Sequence, residues 1–119
     1  MGHVRVPVEI VNPVDRRKSV RVENALIDTG ATRTTISREL AQQLDLEVRG
    51  VQQVRTAAGT KTIDRLFAMI LLDGRESIGD IWISDDYPGV LIGVITLEAM
   101  GLGVDPKNQR LIDVEQLLL

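Results

Sequence analysis

The sequence predicts a mainly β domain, built as a barrel or a sandwich. Short apolar or alternating segments recur along the 119 residues with turn-forming residues between them, and only two short segments show helical periodicity. The composition agrees with a β domain, because the 14 Val and 11 Ile are β-branched residues that favour strands. Phe, Trp and Tyr occur only once each, so the expected core is aliphatic. A domain of many short strands and few helices is therefore expected.

The first two predicted strands lie on either side of a charged turn. Residues 4–10 alternate between apolar and polar side chains, which is typical of a strand with one buried face. Pro7 has no N–H to donate, so this strand is expected at a sheet edge or paired on one side only. A turn over residues 12–18 leads into a returning strand over residues 19–27.

A short strand, a helix and a hairpin are predicted next. Residues 32–36 are mostly β-branched, and Ser37 is a suitable N-cap for a helix that continues through Leu44. Two strands, over residues 51–56 and 60–72, are expected to form a hairpin. The end of the second, residues 66–72, has no polar residue, so both of its faces are expected to be covered.

The remaining elements are predicted from their turn residues. Asp73-Gly74 is typical of a two-residue hairpin turn, here leading into a strand over residues 78–83. The other expected elements are a loop over 85–89, a strand over 90–92, a helix over 94–100 that Gly101 ends, and strands at Val104 and over 110–114.

Composition excludes several functional classes. The chain has 14 basic and 17 acidic residues, a net charge of −3 and a pI near 5.1, which argues against nucleic acid or an anionic membrane as partner. It has no cysteine and one histidine, His3, so thiolate catalysis, a Ser-His-Asp triad and a multi-histidine metal site are not expected. No apolar run approaches the roughly 20 residues that span a bilayer, and no signal peptide is visible, so we expect a cytoplasmic location.

The sharpest chemical feature lies at Asp28-Thr29-Gly30. This carboxylate directly follows an apolar strand, Gly30 permits a close backbone approach, and the small side chain of Ala31 leaves space beside it. Alone, the tripeptide is weak evidence, because at average residue usage it occurs by chance in roughly one chain in forty of this length. The alternative is a plain turn in which Asp28 bonds its own backbone.

In context, this loop resembles the active-site loop of the retropepsin family, the single-domain aspartic proteases. The family has an apolar strand leading into Asp-Thr-Gly-Ala, and a second motif of two apolar residues and a glycine, which Leu91-Ile92-Gly93 matches. Between them the family places a glycine-tipped hairpin, the flap, and residues 51–66 match it. Two departures are a helix after Ser37 that is longer than in viral members, and a flap tip with one glycine.

The resemblance covers about residues 4–114 and implies a single domain over residues 1–119. The implied fold is a closed retropepsin-like barrel with a flap hairpin and one or two short helices. Chain ends interleave across the dimer in this family, which would give Leu117-Leu118-Leu119 a place of burial.

The resemblance also implies that the chain is an aspartic endopeptidase with Asp28 as its catalytic residue. Two carboxylates in contact cannot both ionise, so one can activate a water while the other, protonated, polarises the scissile carbonyl. The sequence supplies one such aspartate, so the active form is expected to be a two-fold homodimer. By resemblance, Thr29 would bond to the partner's loop, Gly30 would offer its carbonyl to substrate, and Ala31 would complete the loop. No cofactor or metal is implied.

The expected substrate is a peptide or protein that pairs with the flap as an added strand. Arg33 is expected to be solvated rather than to select substrate charge, and Trp82 is expected in a core or interface. Residues 85–89 are expected to form a solvated turn, although in the family this loop lines side-chain pockets. The substrate contacts that the resemblance implies are therefore, in the flap, Ala57, Ala58 and Gly59 and, near the second motif, Tyr87, Pro88 and Val90.

Two other functions remain open at this stage. The chain could use the same fold as a non-catalytic dimerisation and peptide-binding module, although such a module has no need for two apposed carboxylates that cost stability. It could also be a structural β domain of a longer protein, in which Asp28 is turn chemistry.

Overall fold

The computed structural model describes residues 3–115, so the predicted burial of residues 117–119 falls outside the described residues. Two short helices occur among nine strands in this part of the chain. The strands are β1 (Val4–Val11), β2 (Ser19–Ile27), β3 (Thr35–Ser37), β4 (Val48–Thr56), β5 (Gly59–Leu72), β6 (Arg75–Ser84), β7 (Val90–Ile92), β8 (Leu102–Asp105) and β9 (Arg110–Asp113), and the helices are α1 (Arg38–Gln43) and α2 (Val94–Ala99).

Six strands close into a ring. Hydrogen-bonded neighbours follow the order β1-β2-β7-β3-β6-β5, and β5 pairs again with β1. Strand β4 lies outside the ring and pairs with β5 as a long hairpin, while β8 and β9 form a separate two-stranded sheet. The predicted mainly β, closed barrel with a flap hairpin and two short helices is confirmed.

Two local features of the ring are a proline within β1 and a tight turn between β5 and β6. Pro7 lies at a register shift between Val6 and Val8, and the pairing of β1 with β5 begins only at Glu9. Strand β1 nevertheless pairs with β2 on one side and with β5 on the other, so the expectation of an edge strand or of pairing on one side only is wrong. Pro7, which has no N–H to donate, lies outside both sets of paired residues. At the β5–β6 turn, Asp73 and Gly74 have φ values of 52° and 74°, which matches a two-residue turn of the type that hairpins prefer.

Both helices are short and are stopped by specific residues. The Ser37 hydroxyl accepts a hydrogen bond from the N–H of Leu40 at 3.2 Å, which confirms the predicted N-cap of α1. Helix α2 is followed by Gly101 at a φ of 69°, a left-handed conformation that ends helices. No helix among the described residues has the length and apolarity to cross a bilayer.

The core fills the ring with aliphatic side chains. The alternate β5 residues Leu66, Ala68 and Ile70 belong to it, and each is at most 1% exposed. The prediction that residues 66–72 are covered on both faces is wrong for Phe67, which lies on the other face of the strand and is 47% exposed.

Ile70 and Ile78 provide a matched test of where the core lies. Ile70→Ala is expected to lower the free energy of unfolding by roughly 2–4 kcal/mol, because it leaves a cavity among packed side chains. Ile78, 56% exposed on the neighbouring strand, should change it by less than about 0.5 kcal/mol on the same substitution. Urea denaturation measures both values, and equal losses would contradict this assignment of the core.

Candidate active site

The Asp28 loop is fixed by the parallel pairing of β2 with β7. Leu26 and Ile27 lie beside Leu91 and Ile92, and the N–H of Asp28 donates to the carbonyl of Ile92 at 3.0 Å. The N–H of Gly30 donates to Oδ1 of Asp28 at 2.9 Å, and the N–H of Ala31 donates to the carbonyl of Asp28 at 3.1 Å. These bonds fix the carboxylate at the end of a core strand.

The loop is exposed at its tip. Asp28 is partly buried, whereas Thr29 and Gly30 are exposed. Asp28 and Thr29 also border a cavity of about 260 Å³, together with residues from the chain start and the β8–β9 sheet. The carboxylate of Asp28 is thus fixed by hydrogen bonds but remains accessible to solvent.

A buried threonine joins the segment after this loop to the start of α2. Thr34 is 1% exposed, and its hydroxyl lies 2.6 Å from the hydroxyl of Thr96. The same oxygen accepts a hydrogen bond from the N–H of Gly93 at 3.0 Å. Neither threonine was predicted as part of the site, because a threonine in a predicted strand or helix gives no local signal of a hydrogen bond across 62 positions.

Because Gly93 has no side chain, the start of α2 can lie directly against the backbone of Arg33. A Cβ atom on Gly93 would lie 2.5 Å from the carbonyl carbon of Arg33 and 2.6 Å from its oxygen, closer than real Cβ contacts. Nearby, the N–H of Val94 donates to the carbonyl of Ala31 at 2.8 Å, and that of Ile95 to the carbonyl of Thr32 at 3.1 Å. The segment that begins at Gly93 therefore holds the backbone directly after the Asp28 loop in place.

The β4–β5 hairpin has the form of a flap. Its tip is Ala57-Ala58, where the hydroxyl of Thr56 donates to the carbonyl of Gly59 at 2.8 Å and accepts the N–H of Ala58 at 3.2 Å. Gly59 has a φ of 116°, so a glycine is favoured there. The paired residues Val54 and Lys61 are partly buried, while their chain neighbours are exposed, so one face of the hairpin turns toward the barrel.

A cavity of about 640 Å³ lies between the loop and the flap. Ala31, Thr32, Arg33 and Thr35 line it from the segment after Asp28, Gln52 and Val54 line it from the flap, and Trp82 lines it from β6. Among the described residues, no group of three or more acidic or histidine side chains lies close enough together to hold a metal ion.

Comparisons of the sequence and of the fold with known proteins give the family of this chain. A family model described as aspartyl protease matches residues 6–71, which include most of β1, all of β2, the Asp28 loop and the flap. The chain belongs to the aspartyl protease family. A comparison with curated protein sequences found no match.

Two solved structures show that this aspartyl protease family member has a retropepsin-like fold. It is similar to the protease of simian foamy virus (mac), with 19% identity and a TM-score of 0.58 over 79% of this chain and 91% of that one. It is also similar to the retroviral protease-like domain of Ddi1 from Leishmania major, with 20% identity and a TM-score of 0.62 over 92% of this chain and 88% of that one.

The segment before Leu91-Ile92-Gly93 does not border the cavity at which its substrate contacts were expected. Val90 is 1% exposed and packs in the core, so the expected contact between its side chain and substrate is wrong for this structure. Pro88 borders a separate cavity of about 280 Å³ beside α1, and the hydroxyl of Tyr87 accepts a hydrogen bond from Arg5 at 3.2 Å. None of these three side chains lines the cavity between the loop and the flap.

Ion pairs connect the flap to α1 and to the loop that precedes β7. Arg38 holds Asp85 through two hydrogen bonds of 3.1 Å each and donates to Asp64, on the flap, at 2.9 Å. Lys61 donates to Asp86 at 2.7 Å. Asp85 and Asp86 are exposed, as predicted for a solvated turn, but the structure gives both of them basic partners.

The contact of Gly93 with Arg33 can be tested by adding one methyl group. Gly93→Ala is expected to lower the free energy of unfolding by roughly 2–3 kcal/mol, because the new Cβ meets rigid backbone. Gly79→Ala is the matched control, since its Cβ would meet nothing within 4 Å, and it should be neutral or stabilising by about 0.5 kcal/mol. Equal values in urea denaturation would contradict the close approach.

The Arg38–Asp85 pair predicts a shifted titration. Its hydrogen bonds lower the pKa of Asp85 below the ordinary value of 3.8, so the stability from this pair is present above 3.8 and is lost as the pH falls through the lowered value. In Arg38→Gln, carboxyl NMR should show the pKa of Asp85 rising toward 3.8. Asp105, whose pKa Asn108 lowers, is the internal control and should not move. An unchanged Asp85 titration would contradict the pairing.

Proposed function

We propose that the chain is a homodimeric aspartic endopeptidase whose active site contains Asp28 from each protomer. The observation that carries this proposal is the accessible carboxylate of Asp28, fixed at the end of a core strand and supported by the Gly93 motif. Two-fold symmetry places the same surface of both protomers face to face, so an exposed loop can meet its own copy. One protomer supplies a single carboxylate of this kind, so the site is complete only in a dimer.

Hydrolysis then follows from two adjacent carboxylates. Because like charges in contact cannot both ionise, the pair shares one proton and holds a water between its oxygens. The ionised carboxylate takes a proton from this water as its oxygen attacks the peptide carbonyl carbon, while the protonated carboxyl donates to the carbonyl oxygen. The tetrahedral intermediate collapses when the C–N bond breaks. The carboxyl that took the proton from water donates it to the leaving nitrogen, and the other carboxylate takes a proton back from a hydroxyl of the intermediate, so the pair again shares one proton. The products are a free acid and a free amine, with no covalent enzyme intermediate.

The loop residues support this chemistry in distinct ways. The Gly30 N–H that bonds to Oδ1 of Asp28 fixes the orientation of the carboxylate, which reduces the reorganisation needed during reaction. Thr29 is exposed beside it. We propose that its side chain bonds to the partner's loop. The carbonyl of Gly30 is proposed to accept a backbone N–H from the substrate, and Ala31 borders the cavity under the flap.

The proposed substrate is a peptide or protein segment in an extended conformation. It would lie between the loop and the flap tip at Ala57, Ala58 and Gly59, and would pair with the flap backbone as an added strand. Support comes from the cavity of about 640 Å³ that Ala31, directly after the loop, shares with Gln52 and Val54 of the flap. Asp28 and the flap tip are not among the residues that line it. Closure of the flap would exclude bulk water during the reaction.

Asp28→Asn tests the catalytic assignment against a matched control. Asp28→Asn is expected to lower cleavage of a peptide library by at least about 10³-fold between acid and neutral pH, because an amide cannot act as the general base. Asp73→Asn makes the same change at an exposed turn with a φ of 52°, which asparagine tolerates, and should retain activity. Cleavage is followed by mass spectrometry of the products.

Sedimentation separates the possible failures. Both variants and the unmodified chain are expected to form dimers, and activity per chain should rise as concentration increases through the dimer dissociation constant. Cleavage by Asp28→Asn at the unmodified rate would contradict the role of Asp28. A stable dimer without any cleavage would favour the non-catalytic binding module, and a stable monomer would favour the structural domain.

A further inference from the structure

The cavity between the Asp28 loop and the flap has one charged side chain in its wall. Among the described residues that line it, Arg33 is cationic, and the others are small, polar or apolar. Its side chain is 36% exposed, so the guanidinium group remains accessible. Arg33 is thus partly exposed, as the expectation of a solvated side chain requires, but two contacts also hold it in place.

Those contacts orient Arg33 without neutralising it. Its guanidinium carbon lies 5.7 Å from the ring centroid of Trp82, a cation–π distance. Its Nη1 is 3.7 Å from Oδ2 of Asp80, but that same oxygen accepts hydrogen bonds from Arg65 at 2.8 and 3.1 Å. Two guanidinium groups therefore share one carboxylate, and the cluster retains one net positive charge beside the cavity.

The backbone of Arg33 is fixed by the same constraint that supports Asp28. Gly93 packs directly against Arg33, and the neighbouring Thr32 and Thr34 are hydrogen-bonded to α2. A guanidinium on a rigid backbone loses little freedom on binding, which favours recognition of a carboxylate through two hydrogen bonds.

Two other basic residues close to the flap, Lys61 of β5 and Arg38 of α1, are paired with carboxylates. Lys61 bonds to Asp86, and Arg38 bonds to Asp64 and Asp85. Neither of them lines the cavity, and the exposed Arg55 of β4 does not line it either. The positive charge that a bound substrate side chain would meet there is therefore that of Arg33.

We propose that Arg33 makes this cavity a specificity pocket for an acidic side chain of the substrate, glutamate or aspartate. This inference rests on the proposed function and names the substrate class of the same site. The pocket excludes lysine and arginine side chains by charge repulsion, and it binds neutral side chains without the ionic contribution. In a two-fold dimer the pocket occurs twice, so the preference applies at one position on each side of the cleaved bond.

The test compares peptides that differ at one position. A cleaved library peptide is resynthesised with Glu, Gln or Lys at each position in turn, and kcat/KM is measured for the unmodified protein, Arg33→Gln and Arg33→Lys. At one position on each side of the bond, Glu is expected to exceed Gln by about 10-fold, and Lys should be the poorest of the three. This ratio should fall to near 1 in Arg33→Gln and persist largely in Arg33→Lys. Arg16→Gln, an equal charge change at an exposed turn, should leave the ratio unchanged.

Two further measurements test the role of Arg33. The first needs no variant, and the second needs no cleavage. In the unmodified protein, the ratio of Glu to Gln should fall as the NaCl concentration increases, because salt screens the attraction. In the Asp28→Asn background, the affinity for fluorescein-labelled Glu and Gln peptides, measured by anisotropy, should show the same preference and lose it with Arg33→Gln.

The outcomes are distinguishable. A ratio near 1 at every position, or one that Arg33→Gln leaves unchanged, overturns the role of Arg33 even if Asp28 is catalytic. A Glu preference in the binding measurement that depends on Arg33, without cleavage, supports the pocket and overturns the endopeptidase. Absence of both cleavage and binding overturns both proposals.

Discussion

The close contact between Gly93 and the backbone of Arg33 is the constraint on which the site depends. Two chain segments far apart in sequence meet there with no side chain between them, and the buried hydroxyl of Thr34 bonds to both Gly93 and Thr96. Because protein interiors are closely packed, one added carbon at this contact would have to displace backbone. The contact therefore fixes where the Asp28 loop leaves the barrel.

This constraint connects the proposed catalysis with the proposed recognition of substrate. On one side of the contact, the Asp28 backbone N–H continues the pairing of β2 with β7. On the other side, Arg33 projects toward a cavity that the flap also borders. A single rigid segment of a few residues therefore carries both the proposed nucleophile-activating carboxylate and the proposed selector of substrate charge. The proposed binding geometry and the proposed catalytic geometry consequently depend on the same packing.

Local signals in the sequence predicted most of the fold. The bounds of β2 and β7 agree with the predicted strands over 19–27 and 90–92, because alternation and turn residues act within a few positions. The Asp73-Gly74 turn and the Ser37 cap were predictable for the same reason. The ring itself follows from the family resemblance, since composition alone left a barrel and a sandwich equally open.

The parts that sequence could not predict depend on contacts between distant residues. The exposure of Phe67 and the burial of Val90 are set by which face of each strand the barrel covers. Whether Arg33 is solvated or held depends on Trp82 and Asp80, which lie on a strand paired with β3 and not near Arg33 in sequence. The bond between Thr34 and Thr96 spans 62 positions, and no local pattern predicts it.

The central claim is that catalysis requires the Asp28 carboxylates of two protomers together. Mixing unmodified and Asp28→Asn chains at a fixed total concentration, with subunit exchange complete, tests this claim most directly. If both carboxylates are required, activity follows the square of the unmodified fraction and is about one quarter at an equal mixture. A linear decline to about one half would show that each protomer cleaves with its own Asp28, and it would contradict the account.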